Sequence, residues 1–410
     1  MTLKKSPLAP ATFPDLPEIA GVRFACGNSG MRYKGRDDVM LAEFAPGTTV
    51  AGVFTKNTMP GAPVDWDRKI LSIGIARGLV VNAGIANVFT GAAGLKTVED
   101  TATAAAQLLN APPEHIYIAS TGVIGEPVPT EKITNLLPRL AEDLSIDGGK
   151  SAANCILTTD TFAKGAAATA KIGEKEVMIA GFAKGSGMIA PDMATMLAFL
   201  YTDAAIPADV LQQMLSEANE KSFNCVTVDS DTSTSDSVLL FATGRAENGP
   251  PVDASGESLA NFKKALLEVM TDLAQQVARD GEGASKFITV KVTGAESDSA
   301  AKTIALAIAN SPLVKTAIAG EDANWGRVIM AVGKSGEKAN RDKMNLKIGG
   351  VLIAENGSRA PSYQETAVTP HMKGQEIELE VDVAVGNGSA FAWTCDLTHG
   401  YIEINADYRS

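Results

Sequence analysis

The sequence predicts an α/β (α+β) fold of layered sheets flanked by helices. Short apolar runs rich in β-formers alternate along the whole chain with longer runs of helical periodicity. The 38 glycines predict many tight turns. At 410 residues the chain exceeds what one hydrophobic core usually supports, so two domains or one large intertwined body are expected.

In order, strands are expected at 78–82, 116–119, 177–182, 195–201, 237–243 and 287–292. Helices are expected at 98–109, 131–144, 208–221 and 259–279. Pro138 should interrupt the second helix, because it lacks an N–H and clashes with the preceding turn. In the last helix Leu259, Phe262, Leu266, Met270, Leu273 and Val277 recur at helical spacing, which predicts one face packed on a sheet. That helix runs into Asp280-Gly281-Glu282-Gly283, a glycine stop signal. A boundary is therefore expected there, between a larger body (1–285) and a smaller C-terminal domain (286–410). From 376 to 385 acidic and apolar residues alternate, the period of a half-exposed strand. A final strand is expected at 401–405.

Composition removes several functional classes. A net charge of −12 argues against a nucleic-acid surface, which needs clustered Lys and Arg, but leaves room for small anionic substrates at a local site. Cys26, Cys155, Cys225 and Cys395 lie far apart, and His115, His371 and His399 have no metal-ligand spacing, so no metal site is expected. No apolar run reaches membrane-spanning length, and the first residues lack the apolar core of a signal peptide. A cytoplasmic location is expected. Gly333-Lys334-Ser335 fails as a phosphate loop because Val328 stands where the earlier glycine is required. The polar run from Asp229 to Asp236 fails as a calcium loop because Thr234 and Leu240 replace the required Gly and Glu.

Two segments carry chemistry. Lys184-Gly185-Ser186-Gly187-Met188-Ile189-Ala190-Pro191-Asp192-Met193-Ala194-Thr195 is a Gly- and Pro-rich turn leading into an apolar strand. A threonine hydroxyl needs a base, and the α-amine of the same residue serves once the preceding peptide bond is gone. Ser120-Thr121-Gly122-Val123-Ile124-Gly125 follows the strand at 116–119. A Thr-Gly turn there can aim a hydroxyl and a backbone N–H at one developing oxyanion. Each signal alone is weak, since most such residues simply begin a strand or a loop.

Together with Thr158-Thr159-Asp160, Asp231-Thr232-Ser233-Thr234, Gly281-Glu282-Gly283-Ala284-Ser285-Lys286, Asn324-Trp325-Gly326-Arg327 and Ile404-Asn405-Ala406-Asp407-Tyr408-Arg409-Ser410, these segments resemble the ornithine acetyltransferase family over essentially the whole chain. The resemblance implies an N-terminal-nucleophile-like ornithine acetyltransferase/aminopeptidase fold with two intertwined domains. It implies autoproteolysis between Ala194 and Thr195 into chains of 194 and 216 residues that stay together. The implied reaction is ping-pong: N2-acetylornithine acetylates Thr195, and glutamate collects the acetyl group. Thr121 and Gly122 match the oxyanion pair, worth roughly 3 kcal/mol per donor. Thr158, Lys184, Thr195, Glu282, Asn405 and Ser410 match substrate-contacting positions, the last two implying a C-terminus that folds back into the site. No cofactor is implied, although acetyl-CoA is a possible second donor, and a heterotetramer of two cleaved protomers is expected. Ile85 stands where the family commonly has asparagine, and the segment 26–34 is unusual. One alternative is an N-terminal-nucleophile aminopeptidase or amidase on the same scaffold, with water as the acceptor. Another is a binding protein that kept the fold and stays uncleaved.

Overall fold

The computed structural model describes residues 4–190, 196–249, 251 and 256–406. Its contacts divide the chain into two compact units that are discontinuous in sequence. The larger takes residues 11–224 and 231–274, and the smaller takes 1–10, 225–230 and 275–410.

The larger unit holds two sheets. The four-stranded sheet is ordered Val22–Gly27, Val39–Phe44, Gly78–Ile85, Ile116–Val123. The five-stranded sheet is ordered Thr49–Phe54, Ser237–Ala242, Leu197–Thr202, Lys175–Lys184, Lys164–Ile172. Because side chains alternate across a strand, each sheet has two faces. Phe24, Met40, Phe44, Leu79 and Tyr117 of the first meet Phe182, Phe199, Tyr201, Leu239 and Phe241 of the second in one core. The aromatic rings interlock there: Phe44 stacks on Phe241 at 4.2 Å, and Phe24 stands edge-on to Tyr201 at 5.1 Å. Such pairs add about 0.5–1.5 kcal/mol each beyond area burial. The opposite face of the four-stranded sheet, with Leu41, Val80 and Ile118, packs on Val98, Ala102, Ala105 and Ala106 of the helix Gly91–Leu108. Alanines at the contact let that helix sit close. On the other sheet the helix Ala208–Glu220 lies against the strand Thr49–Phe54, where the Gln212 side chain exchanges hydrogen bonds with the backbone of Gly52.

The smaller unit has a six-stranded sheet ordered Ser358–Arg359, Val351–Glu355, Asn345–Ile348, Glu376–Asp382, Phe287–Ala295, Gly388–Cys395. One face is covered by the helices Asp298–Ala309, Pro312–Ala319, Trp325–Lys334 and Glu365–Met372. The acidic/apolar alternation from 376 onward is the strand Glu376–Asp382, whose Ile377, Leu379 and Val381 point into that core.

The expected layered α/β architecture is what the chain adopts, with three local differences. The helix expected at 131–144 is two short ones, Thr130–Thr134 and Leu137–Glu142, with Pro138 in the first turn of the second, where its missing N–H costs nothing. The helix expected at 98–109 starts at Gly91. The strand expected at 401–405 is instead part of a helix, His399–Ala406. Ile402 and Ile404 mimic strand alternation, but neither is buried, so no sheet pairing rewards that conformation.

Candidate active site

Lys184 ends the strand Lys175–Lys184, paired in register with Leu197. Its side chain is 3% exposed, and a buried ammonium must be paired or hydrogen-bonded. Nζ donates to Thr158 Oγ1 at 2.9 Å and to Thr121 Oγ1 at 3.3 Å, and lies 3.8 Å from Asp160. The structure thus brings Thr121, Thr158 and Lys184 together.

Asp160 is the hub beneath them, and its role escapes sequence reading. Its Oδ1 accepts from Lys164 Nζ at 2.7 Å and from the Gly185 N–H at 2.6 Å, and Oδ2 accepts from the Thr158 N–H at 3.1 Å. One carboxylate therefore fixes both the Thr158 loop and the turn after Lys184. Burial favours its neutral form, but the charges of Lys164 and Lys184, with the Lys164 and Gly185 hydrogen bonds, outweigh burial and hold it well below the usual carboxylate range. It stays ionised. Thr159 and Ser186 add a hydroxyl–hydroxyl bond of 2.7 Å across the same junction.

Thr121 and Gly122 lie near the C-terminal end of the strand Ile116–Val123, which pairs in parallel with Gly78–Ile85 so that Gly122 faces Gly84. Thr121 is buried, and its oxygen already accepts from Lys184, so its own proton remains to be donated. A hydroxyl that accepts a charged hydrogen bond is a stronger donor. Gly122 has φ +125°, and a Cβ there would fall 2.2 Å from the Gly84 carbonyl carbon. Gly122→Ala is expected to cost about 3 kcal/mol or more, because neither the backbone angle nor the neighbouring backbone can yield. A thermal melt of the purified variant checks this.

The strand ends are braced. Ser120 Oγ donates to Asn82 Oδ1 at 2.6 Å, and Asn82 Nδ2 donates to the Ile85 carbonyl at 2.8 Å. Ile85 itself is buried in the apolar layer, so the position holds a hydrocarbon side chain comfortably. The unusual 26–34 segment enters a loop that reaches this junction. Arg32 Cβ and Tyr33 Cε2 each lie 3.2 Å from where a Cβ of Gly84 would be. Arg36 stacks on Tyr33 at 4.1 Å and donates to the Leu157 carbonyl, one residue before Thr158.

Thr195 and Ala194 lie outside the described residues, which resume at Met196. The Met196 N–H donates to Asp236 Oδ1 at 2.9 Å, and the Met196 carbonyl accepts from the Ser237 N–H at 3.2 Å.

In the smaller unit Asn405 Nδ2 donates to Glu282 Oε2 at 2.7 Å. Thr398 Oγ1 donates to the Gly283 carbonyl at 2.7 Å, and Tyr401 OH to Asp229 Oδ2 at 3.2 Å. Gly283 has φ +74°, and a Cβ there would meet the Tyr401 nitrogen at 2.4 Å. The C-terminal helix therefore folds back onto the Glu282 turn, bringing together Glu282 and Asn405. Ser410 lies outside the described residues. Among the described residues no group of three or more His, Cys, Asp or Glu side chains is arranged to hold a metal ion.

The chain resembles known proteins along its length. The model of the ArgJ family matches residues 23–410. The arginine biosynthesis bifunctional protein ArgJ of Gluconobacter oxydans is 57% identical over 408 residues, covering 100% of this chain and 96% of that protein. The protein of the same name from Ruegeria pomeroyi is 56% identical, with 99% of each chain covered. The crystal structure of the arginine biosynthesis bifunctional protein argJ from Bacillus halodurans is 44% identical with a TM-score of 0.50, over 52% of this chain and 99% of that one. The chain belongs to the ArgJ family.

Proposed function

We propose that the chain transfers the acetyl group of N2-acetylornithine to glutamate through an acetyl ester on Thr195. Acetyl transfer in arginine biosynthesis follows from membership of a family whose members match it end to end. The observation that carries the mechanism is the buried cluster in which Lys184 holds the hydroxyls of Thr121 and Thr158. The Thr195 hydroxyl attacks the acetyl carbonyl, and its freed α-amine takes the proton. The oxyanion is met by the Thr121 hydroxyl and the Gly122 N–H, and collapse expels ornithine as the amine. Glutamate then attacks the ester and leaves as N-acetylglutamate. Lys184 has the charge to meet a substrate carboxylate, and Thr158 stands beside it. Glu282, buried and held by Asn405, has the charge to meet a substrate ammonium.

Cleavage before Thr195 belongs to the same proposal. The 52% of this chain matched by a nearly complete solved chain supports it, since a cut at 194/195 leaves a piece of 216 residues, about that share. Acetyl-CoA as a second donor is supported by the word bifunctional in the relatives' names. Association of the cleaved chains into a heterotetramer and a cytoplasmic location complete the proposal. Among the described residues no helix is long and apolar enough to cross a membrane.

The half-reactions test it. With N2-acetylornithine alone, the protein should release about one ornithine per site and then stop, with the acetyl group on the peptide that begins at Thr195. Added glutamate should restart release. Continuous ornithine release without glutamate, with free acetate formed, would instead show the aminopeptidase/amidase alternative.

A further inference from the structure

The polar loop from Asp229 to Asp236 ends against the start of the strand Leu197–Thr202. The strands Leu197–Thr202 and Ser237–Ala242 run parallel with Leu197 opposite Ser237, so Met196 and Asp236 stand side by side just before both strands begin. Asp236 is fully buried, and its Oδ1 accepts the Met196 N–H at 2.9 Å. Its Oδ2 has no hydrogen-bond partner among the described residues. The Asp236 carbonyl accepts from the Thr55 N–H at 3.1 Å, Thr55 Oγ1 donates to the Ser233 carbonyl at 2.6 Å, and the Gly61 N–H donates to the Thr234 carbonyl at 2.9 Å. The segment around Thr55 thus holds the backbone that carries Asp236.

A buried carboxyl is a costly way to satisfy one amide. A Ser or Asn acceptor, or a ladder carbonyl, would serve at less desolvation cost. Its placement becomes intelligible from what that amide is attached to. Met196 directly follows, in the sequence, the residue read as nucleophile. The Met196 N–H held from Asp236, and the Met196 carbonyl held from Ser237, anchor Met196 on both sides.

We propose that Asp236 is a positioning residue for the nucleophile, holding Met196, the next residue along the chain, in register for chain cleavage and for acetyl transfer. The inference rests on the reading of Thr195 as nucleophile. Burial drives the Asp236 pKa well above the ordinary carboxyl range, against the Met196 hydrogen bond, the neighbouring Ser233 and Thr55 hydroxyls and the Lys184 charge. What the geometry uses is one acceptor oxygen facing the Met196 N–H, which the side-chain carbonyl of an asparagine can also supply.

The test compares Asp236→Ala, Asp236→Asn and Thr195→Ala, following cleavage by denaturing electrophoresis and turnover of the cleaved fraction. Asp236→Ala should cleave about tenfold more slowly, with kcat down about tenfold or more and KM within about twofold, since small misplacements of a nucleophile cost orders of magnitude. Asp236→Asn should restore both rates to within about threefold. The inference is overturned if Asp236→Ala cleaves and turns over like wild type, if only KM changes, or if folded Asp236→Asn is as impaired as the alanine variant. Should Asp236→Ala fail to fold, Asp236→Asn decides alone: maturation near the wild-type rate supports the role, and its loss refutes it. Thr195→Ala keeps the two readings apart. Normal cleavage in that variant removes the nucleophile assignment, whereas blocked cleavage there beside normal cleavage in Asp236→Ala removes only the positioning role.

Discussion

Thr195→Ala is expected to give one chain of 410 residues and no measurable acetyl transfer. Both consequences come from one atom. In the cleavage proposed above, the threonine Oγ attacks the Ala194 carbonyl carbon, the C–N bond breaks, and the departing amine takes the proton. The resulting ester is then opened by water, leaving a free carboxylate on Ala194 and a free amine on Thr195. In the proposed turnover the same oxygen carries the acetyl group. Alanine supplies neither nucleophile nor, being uncleaved, the α-amine that serves as base. The loss in kcat should be on the order of 10⁵-fold, because a nucleophile and its base act as a unit rather than additively. Thr195→Ser keeps the hydroxyl and should retain slow cleavage and some transfer. Denaturing electrophoresis and the ornithine-release assay read the two consequences separately. A cleaved Thr195→Ala protein would sink the assignment.

How far the sequence foretells this site depends on whether a residue's role is local. Thr121 and Gly122 are legible only as lying near a strand end: the turn expected after residue 119 is a continuation of the strand to Val123, because Thr121 and Gly122 keep pairing with Ala83 and Gly84. That Gly122 must be glycine for a second reason, its contact with Gly84, is not legible, since it depends on which strands pair. Asp160 appears in the sequence only as part of a motif. Its function lies in contacts to Lys164, Lys184 and the Gly185 N–H, and partner choice is a tertiary property. Asp236 is hidden in the same way, inside a run that looks like a solvated turn. Strongly periodic elements such as the helix Ala260–Arg279 and the strand Glu376–Asp382 are readable because one face is buried along their length. The tail is misread because Ile402 and Ile404 alternate without a sheet to join, and Asn405, bonded to the Tyr401 carbonyl one turn back, is held by helix geometry.

The largest stability effect is expected at Asp160. Its side chain and that of Lys164 are 0% exposed, and Lys184 is 3% exposed. Removing one member of a buried ionic group costs about 3–5 kcal/mol, because the remaining charge loses its partner without regaining water. Here two lysines share one carboxylate, and the Thr158 and Gly185 amides lose that acceptor as well. Asp160→Ala should therefore melt roughly 10 °C below wild type near neutral pH, for a body of this size. The pH dependence gives an independent check. The folded-state pKa of Asp160 is depressed, so its contribution is fully present above the unfolded value near about 4 and is lost as pH falls through the folded one. The gap between wild type and variant should accordingly be widest near pH 7 and narrow below about pH 4. A gap that stayed constant into acid would mean that packing, and not the ionised carboxylate, is what the variant loses. Activity should fall by another route. With Asp160 gone, Lys184 is no longer held against Thr121 and Thr158, so KM should rise along with the fall in kcat, unlike the kcat-dominated loss expected at Asp236.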